Sequence, residues 1–154
     1  MLPQAAASFA AVPAGYQVPG YSPEFLAQLP DYDRMLGENV MKLRAAGARL
    51  VAGTDSALPG MFHGPALHRE LQALVALGIP APEALRMATS VPARVFKLGY
   101  SGIIRKGATA DLLLVEGDPL QDIAATENVV AVWRGGRRVE RQGLPAAAPE
   151  TASR

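Results

Sequence analysis

Apolar residues recur at helical spacing through the middle of the chain and give way to strand-like runs in its last third. Met35, Leu36, Val40, Leu43 and Ala46 fall on one helical stripe, so the spacing predicts a helix over 33–46, ended by Gly47 in a left-handed position. Ala48 to Ala52 reads as a short apolar strand, Arg49-Leu50-Val51-Ala52, closed by Gly53-Thr54-Asp55-Ser56 and followed by a Gly/Pro loop over 58–64. Leu67, Leu71, Leu74 and Val75 predict a second helix over 65–77, with Gly78 at its end. Pro82 opens a third helix carrying Ala84, Leu85 and Ala88. Ser90 and Pro92 suit the cap and early position of a fourth, with Val95, Phe96 and Leu98 inward.

Beyond Gly99 the period changes. Gly102-Ile103-Ile104 precedes a turn at Lys106-Gly107, and Asp111-Leu112-Leu113-Leu114-Val115 is a continuous run suited to a buried strand. Residues 128–134 and 137–140 flank Gly135-Gly136, a hairpin signal. Five prolines, Pro3, Pro13, Pro19, Pro23 and Pro30, predict a loop-rich segment over 1–30, with at most a helical turn near Pro23–Leu29. The small, polar residues 143–154 read as a disordered tail. The expected organisation is therefore a loop-rich segment over 1–30, a helix–strand–helix part over 31–98, a small β part over 99–142 and the tail. The front holds one convincing strand. A single strand leaves its ladder groups unpaired, so its partners belong elsewhere. Exposed edges on that strand and the β part predict poor solubility or dimerisation of the chain alone; a monodisperse, cooperatively melting monomer contradicts this.

Composition narrows the function. A formal net charge of +1 and the lack of a basic run with interleaved aromatics argue against a nucleic-acid or anionic-membrane partner. The absence of cysteine excludes disulfides and thiolate metal sites. No apolar run approaches the roughly 20 residues that span a bilayer. No signal peptide is read at the start, so the cytoplasm is the default compartment.

The informative side chain is Asp55. It follows an apolar strand, and in (β/α)₈ barrels chemistry gathers at the C-terminal ends of the strands. A carboxylate there can bind a divalent ion or take a proton from water, with Thr54 or Ser56 orienting it. The plainer reading makes Asp55 a turn or helix cap. His63 and His68 are the only histidines, and their separation is not the i, i+4 spacing of a helical metal pair. His63, in the loop beyond the strand, could reach a substrate; His68 could cap or pack at the start of its helix. Glu70 is read as favourable charge in a first helical turn. Asp111 and Asp118 read as structural turn residues, and Trp133 as core or interface. Neither a phosphate-binding glycine loop nor a serine nucleophile elbow is present.

The run Gly47-Ala48-Arg49-Leu50-Val51-Ala52-Gly53-Thr54-Asp55-Ser56 resembles the eighth barrel strand of the amidohydrolase superfamily. Further matches follow in order: Leu67-His68-Arg69-Glu70-Leu71, Pro82-Glu83-Ala84-Leu85, Ala88-Thr89-Ser90-Val91-Pro92-Ala93-Arg94, Ala110-Asp111-Leu112-Leu113-Leu114-Val115, Gly117-Asp118-Pro119 and Val132-Trp133-Arg134-Gly135-Gly136. The pattern is most similar to imidazolonepropionase-like and prolidase-like members and covers about residues 35–141. The resemblance implies an α/β chain: the C-terminal part of a metal-dependent hydrolase (β/α)₈ TIM barrel plus part of a small composite β-sandwich. It implies hydrolysis of C–N bonds (amide, cyclic amide or dipeptide) by water activated on a divalent ion, Zn²⁺ first, with Mn²⁺ or Fe²⁺ as alternatives. Asp55 matches the strand-eight aspartate, both catalytic and metal-ligating, and His63 is the candidate substrate contact.

The first-strand His-x-His pair, the metal-bridging lysine and the histidines of the fifth and sixth strands are absent from this chain. A catalytic zinc usually has three protein ligands, and a whole barrel needs about 250 residues. The chain is therefore expected to be inactive alone. Its expected partners are a small amide substrate in the full enzyme and either the missing N-terminal barrel portion or further copies of itself. A truncated enzyme, one half of a split barrel and a non-catalytic binding or assembly remnant remain open at this point.

Overall fold

The computed structural model describes residues 22–56, 64–99 and 102–140. Helix α1 spans Pro23–Ala45, α2 Pro65–Ala76, α3 Ala81–Met87 and α4 Ser90–Val95. Strands β1 (Leu112–Val115), β2 (Val129–Arg134) and β3 (Arg137–Arg138) form an antiparallel sheet in the order β1-β2-β3, with a 3₁₀ helix at Ile123–Glu127 between the first two. No described helix is long and apolar enough to cross a membrane.

The first helix is longer than its sequence pattern suggests. It begins at Pro23, where a missing N–H removes no helical bond, and runs through Pro30 at the cost of one. The part of the expected loop over 1–30 that is described is thus helical from Pro23 onward, while residues 1–21 and the tail from 141 lie outside the described residues.

Two helices end by the same device. Ala48 N–H bonds to Leu43 O and Gly47 N–H to Arg44 O at the end of α1; Ile79 N–H bonds to Leu74 O and Gly78 N–H to Val75 O at the end of α2. This pairing needs a left-handed residue just beyond the helix, and Gly47 and Gly78 supply it with φ of 76° and 96°. The second termination delivers Ile79, 1 % exposed, into the core formed with Leu71 and Leu74 of α2, Ala84 and Met87 of α3, and Ile123 of the 3₁₀ helix. Gln72 Nε2 donates to Glu127 Oε1 at 2.7 Å, tying α2 to the 3₁₀ helix at the surface.

Helix α1 does not bury the stripe its sequence suggests. Gly37, Val40, Met41 and Arg44 turn inward at i, i+3, i+4 and i+7, whereas Met35, Leu36 and Leu43 are exposed. Gly37 is chosen by contact: a Cβ there would stand 2.7 Å from Leu77 Cδ2. Arg44 fixes the rotation of the helix by donating from Nε and Nη2 to the two carboxylate oxygens of Glu83, each at 2.8 Å. The bond from Arg44 holds the Glu83 carboxyl below its usual range. The helix therefore carries two apolar faces, one packed and one bare.

The same correction applies elsewhere. Phe96 (61 % exposed) and Leu98 do not point inward, and Ile104 (91 % exposed) belongs to no strand. Leu112, Leu113 and Leu114 do form β1, but the three leucines are exposed rather than buried. Residues 49–55 form no regular element, and Ala52 N–H donates to Met87 O at 2.9 Å. A strand requires a neighbour to complete its ladder, and none of the described strands lies beside this segment.

The hairpin behaves as its sequence suggests. Trp133 pairs with Arg138 and Arg134 with Arg137 around Gly135-Gly136. Asp111 Oδ1 accepts from Gly135 N at 2.6 Å, and Gly136 N donates to Ala110 O at 2.9 Å, so the start of β1 clasps the turn. Asp118 Oδ1 accepts from Leu120 N at 2.9 Å in a local turn, and Asp122 caps the 3₁₀ helix through Ala124 N at 3.0 Å. Trp133 is half-buried on β2.

Candidate active site

The site is built where the extended segment 49–52 ends. Leu50 and Ala52 pack against the core while Val51 is half-buried, which seats the segment on α2 and α3. At its end, Asp55 is exposed and adopts φ 45°, one of two non-glycine residues with positive φ among the described residues. The other, Lys97, merely ends α4. A left-handed conformation costs an ordinary L-residue about 1–2 kcal/mol, and Asp tolerates it better than most. Thr54 and Ser56 flank this turn and share a hydroxyl–hydroxyl hydrogen bond of 2.7 Å across it. The two hydroxyls thus hold each other and brace the loop around Asp55.

Glu70 enters the site unexpectedly. It lies in the second turn of α2, not the first, and is half-buried near the Gly53 backbone. Burial pushes the Glu70 carboxyl above its usual range, and the Gly53 backbone opposes that rise only in part. The sequence did carry a signal for this placement: Glu70 is i+4 from Ala66 and i−4 from Leu74, both buried, so it shares their helix face. His68 stands on the same helix with its Nδ1 buried and without a hydrogen-bond partner. His63 lies outside the described residues.

The arrangement offers one exposed carboxylate on a braced turn and one half-buried carboxylate behind it. It does not offer a metal site: among the described residues, no three His, Asp or Glu side chains gather closely enough to hold an ion. At the other end of the same segment, an open cavity of about 190 Å³ lies between Ala48–Leu50, α3 and α4, floored by Leu50, Met87, Val91 and Val95.

Residues 16–139 match the model of the Amidohydrolase family. Ochratoxinase of Aspergillus niger is 36 % identical over 105 residues, which cover 64 % of this chain and 21 % of that protein. A crystal structure of a putative prolidase from Bifidobacterium longum superposes with a TM-score of 0.58 at 36 % identity, covering 66 % of this chain and 25 % of its own. That of a Xaa-Pro dipeptidase gives 0.61 at 30 % identity, covering 68 % and 25 %. The chain thus spans about a quarter or less of the length of these relatives. With the family match extending over most of its residues and its fold matching part of the family's solved structures, this chain belongs to the amidohydrolase family.

Proposed function

We propose that this chain forms the closing part of a (β/α)₈ barrel, through about residue 98, together with part of a small β-sandwich over 99–142, and that the completed barrel hydrolyses C–N bonds of small amides, cyclic amides or dipeptides. The observation that carries the reading is Asp55: an exposed carboxylate in a braced left-handed turn, at the end of an extended segment that has no described strand beside it. Asp55 accepts a proton from the attacking water and passes it to the leaving nitrogen, a task for which a carboxylate at a strand end is suited. His63 follows the same turn in sequence and is the candidate substrate contact. The names of the relatives, an ochratoxinase and a Xaa-Pro dipeptidase, support the amide class.

Family membership points to a divalent ion, Zn²⁺ first and Mn²⁺ or Fe²⁺ as alternatives. The described residues do not fit one by themselves, since no three of their His, Asp or Glu side chains gather closely enough to hold an ion. Its further ligands would come from outside the described residues, and Asp55 would contribute one oxygen to their set. The only histidines a second copy of the chain would bring are another His63 and His68. The bare second face of α1, the uncovered β1 leucines and the open cavity at the start of the extended segment favour a large complementary partner.

The chain alone is expected to show no turnover of cyclic amides or dipeptides with added Zn²⁺ or Mn²⁺. Co-expression with a polypeptide supplying the rest of the barrel, His-x-His pair included, is expected to yield a copurifying complex that hydrolyses at least one of them. Turnover by the chain alone would defeat this reading. A stable complex without hydrolysis of any amide would favour the non-catalytic assembly role instead.

A further inference from the structure

We propose that the cavity at the start of the extended segment is a socket for the completing polypeptide: it seats one large apolar side chain of an extended stretch whose flanking positions carry carboxylates. The inference rests on the reading of this chain as the closing part of a larger barrel, and it adds the chemistry of what meets it.

The cavity holds about 190 Å³ and opens between Ala48–Leu50 and helices α3 and α4. Its floor is apolar, made by Leu50, Met87, Val91 and Val95. Met87 belongs to the buried core and Leu50 packs against it, so the hollow opens directly onto that core. Left empty, such a lining forfeits the dispersion contacts of a packed interior. An apolar cavity of about 150 Å³ takes benzene, so this one has room for a leucine or phenylalanine side chain.

The rest of the wall is cationic. Arg49, Arg86 and Arg94 line it from the extended segment, α3 and α4 respectively. All three are exposed, and among the described residues none forms an ion pair. The one carboxylate of the wall, Glu83, has both oxygens on Arg44, and Arg86 adds to the positive field that holds it ionised. Arg49 and Arg94 are therefore left with no carboxylate of their own. The cluster is local, since the whole chain balances 15 Lys and Arg against 14 Asp and Glu. A planar guanidinium is matched to a carboxylate partner, so an apolar hollow edged by arginines selects an occupant that is apolar at its centre and acidic at its flanks.

The rest of this chain does not supply that occupant. Residues 1–21, 57–63 and 100–101 contain no Asp or Glu, and 141–154 contain only Glu150. The extended segment 49–52 runs from the cavity, and no described strand lies beside it. A strand laid along it would complete its ladder and pass the hollow. Alternate side chains of such a strand point the same way, about 7 Å apart. An inward apolar residue at position i thus brings Asp or Glu at i−2 and i+2 within reach of the arginines.

The test is methyl and amide NMR on the full 154-residue chain, titrated with three capped pentapeptides. They are acetyl-Glu-Thr-Leu-Thr-Glu-amide, a twin with lysine for both glutamates, and a twin with serine for leucine. The first is expected to shift the methyls of Leu50, Met87 and Val91 saturably, while the two twins leave them in place. Reversing the rim with Arg49→Glu and Arg94→Glu together, both at exposed positions, is expected to weaken the first peptide roughly 3–30-fold, the range of two exposed ion pairs. The same double variant is expected to bind the lysine twin instead, a gain that mere loosening of the fold does not produce. A cavity blind to the acidic peptide, or one that takes the lysine twin equally well before reversal, overturns the inference. So do floor methyls that shift with protein concentration alone, because the occupant is then a second copy of the chain. None of these readouts draws on catalysis. A completed barrel that proves inert defeats the hydrolase reading and leaves the socket, whereas an active barrel with a peptide-blind cavity leaves that reading and defeats the socket.

Discussion

Asp55→Asn, introduced into the barrel completed by its missing polypeptide, is expected to lower kcat by about 10²–10⁴-fold, the range spanned by loss of a positioned general acid–base group. Asparagine has nearly the size of aspartate and tolerates the left-handed region about as well, so φ 45° at this position survives the change. The Thr54–Ser56 bond does not involve the carboxylate and is expected to persist. What is removed is a negative oxygen able to take a proton. KM is therefore expected to change by only a few-fold. Steady-state kinetics across pH decide the point. An Asn variant that keeps more than a tenth of the parent kcat shows Asp55 to be the turn cap of the plainer reading.

How far the molecule could be read from its residues divides along one physical line. Features that depend on local chemistry are where the pattern puts them: the glycine terminations at Gly47 and Gly78, the Gly135-Gly136 hairpin, the turn at Lys106-Gly107 and the local bond of Asp118. Features that depend on what an apolar face meets are not. Met35, Leu36 and Leu43 have the spacing of a core stripe yet are exposed, because the rotation of α1 is set by Gly37 against Leu77 and by Arg44 on Glu83. The β1 leucines and the 49–52 segment have the composition of buried strands and lack a described layer or neighbour. In both cases periodicity records burial in a larger structure than these residues build.

The candidate site follows the same division. Asp55 could be chosen from its place after an apolar run closed by glycine, which is local information. Glu70 could not be chosen by residue type, since a glutamate on a helix is ordinarily a solvated charge. Only the i±4 relation to Ala66 and Leu74 marks it, and that becomes decisive once those two are known to be buried.

Gly102→Ala is expected to destabilise the chain by about 2–5 kcal/mol, combining roughly 1–2 kcal/mol for a left-handed alanine with about 1–3 kcal/mol for overpacking. Gly102 has φ 60°, and a Cβ built on it would lie 2.5 Å from Thr89 O, 2.6 Å from Thr89 C and 2.8 Å from Ser90 Cα. These are backbone atoms at the junction of α3 and α4, where Ser90 is buried, so no side-chain rotation relieves the clash. The contact brings the chain leading to the sheet close against the junction of α3 and α4. Gly107→Ala is the control: its φ of 82° imposes the same backbone strain, but a Cβ there would meet nothing within 4 Å. Its cost should stay near 1–2 kcal/mol. Urea unfolding followed by the fluorescence of Trp133, the only tryptophan, reports the sheet, while far-ultraviolet circular dichroism reports mainly the helices. For Gly102→Ala the Trp133 transition is expected to move to lower urea and to precede the helical one. Equal losses in the two variants, with the two signals still coincident, would show that the close approach to Thr89 does not join the sheet to the helices.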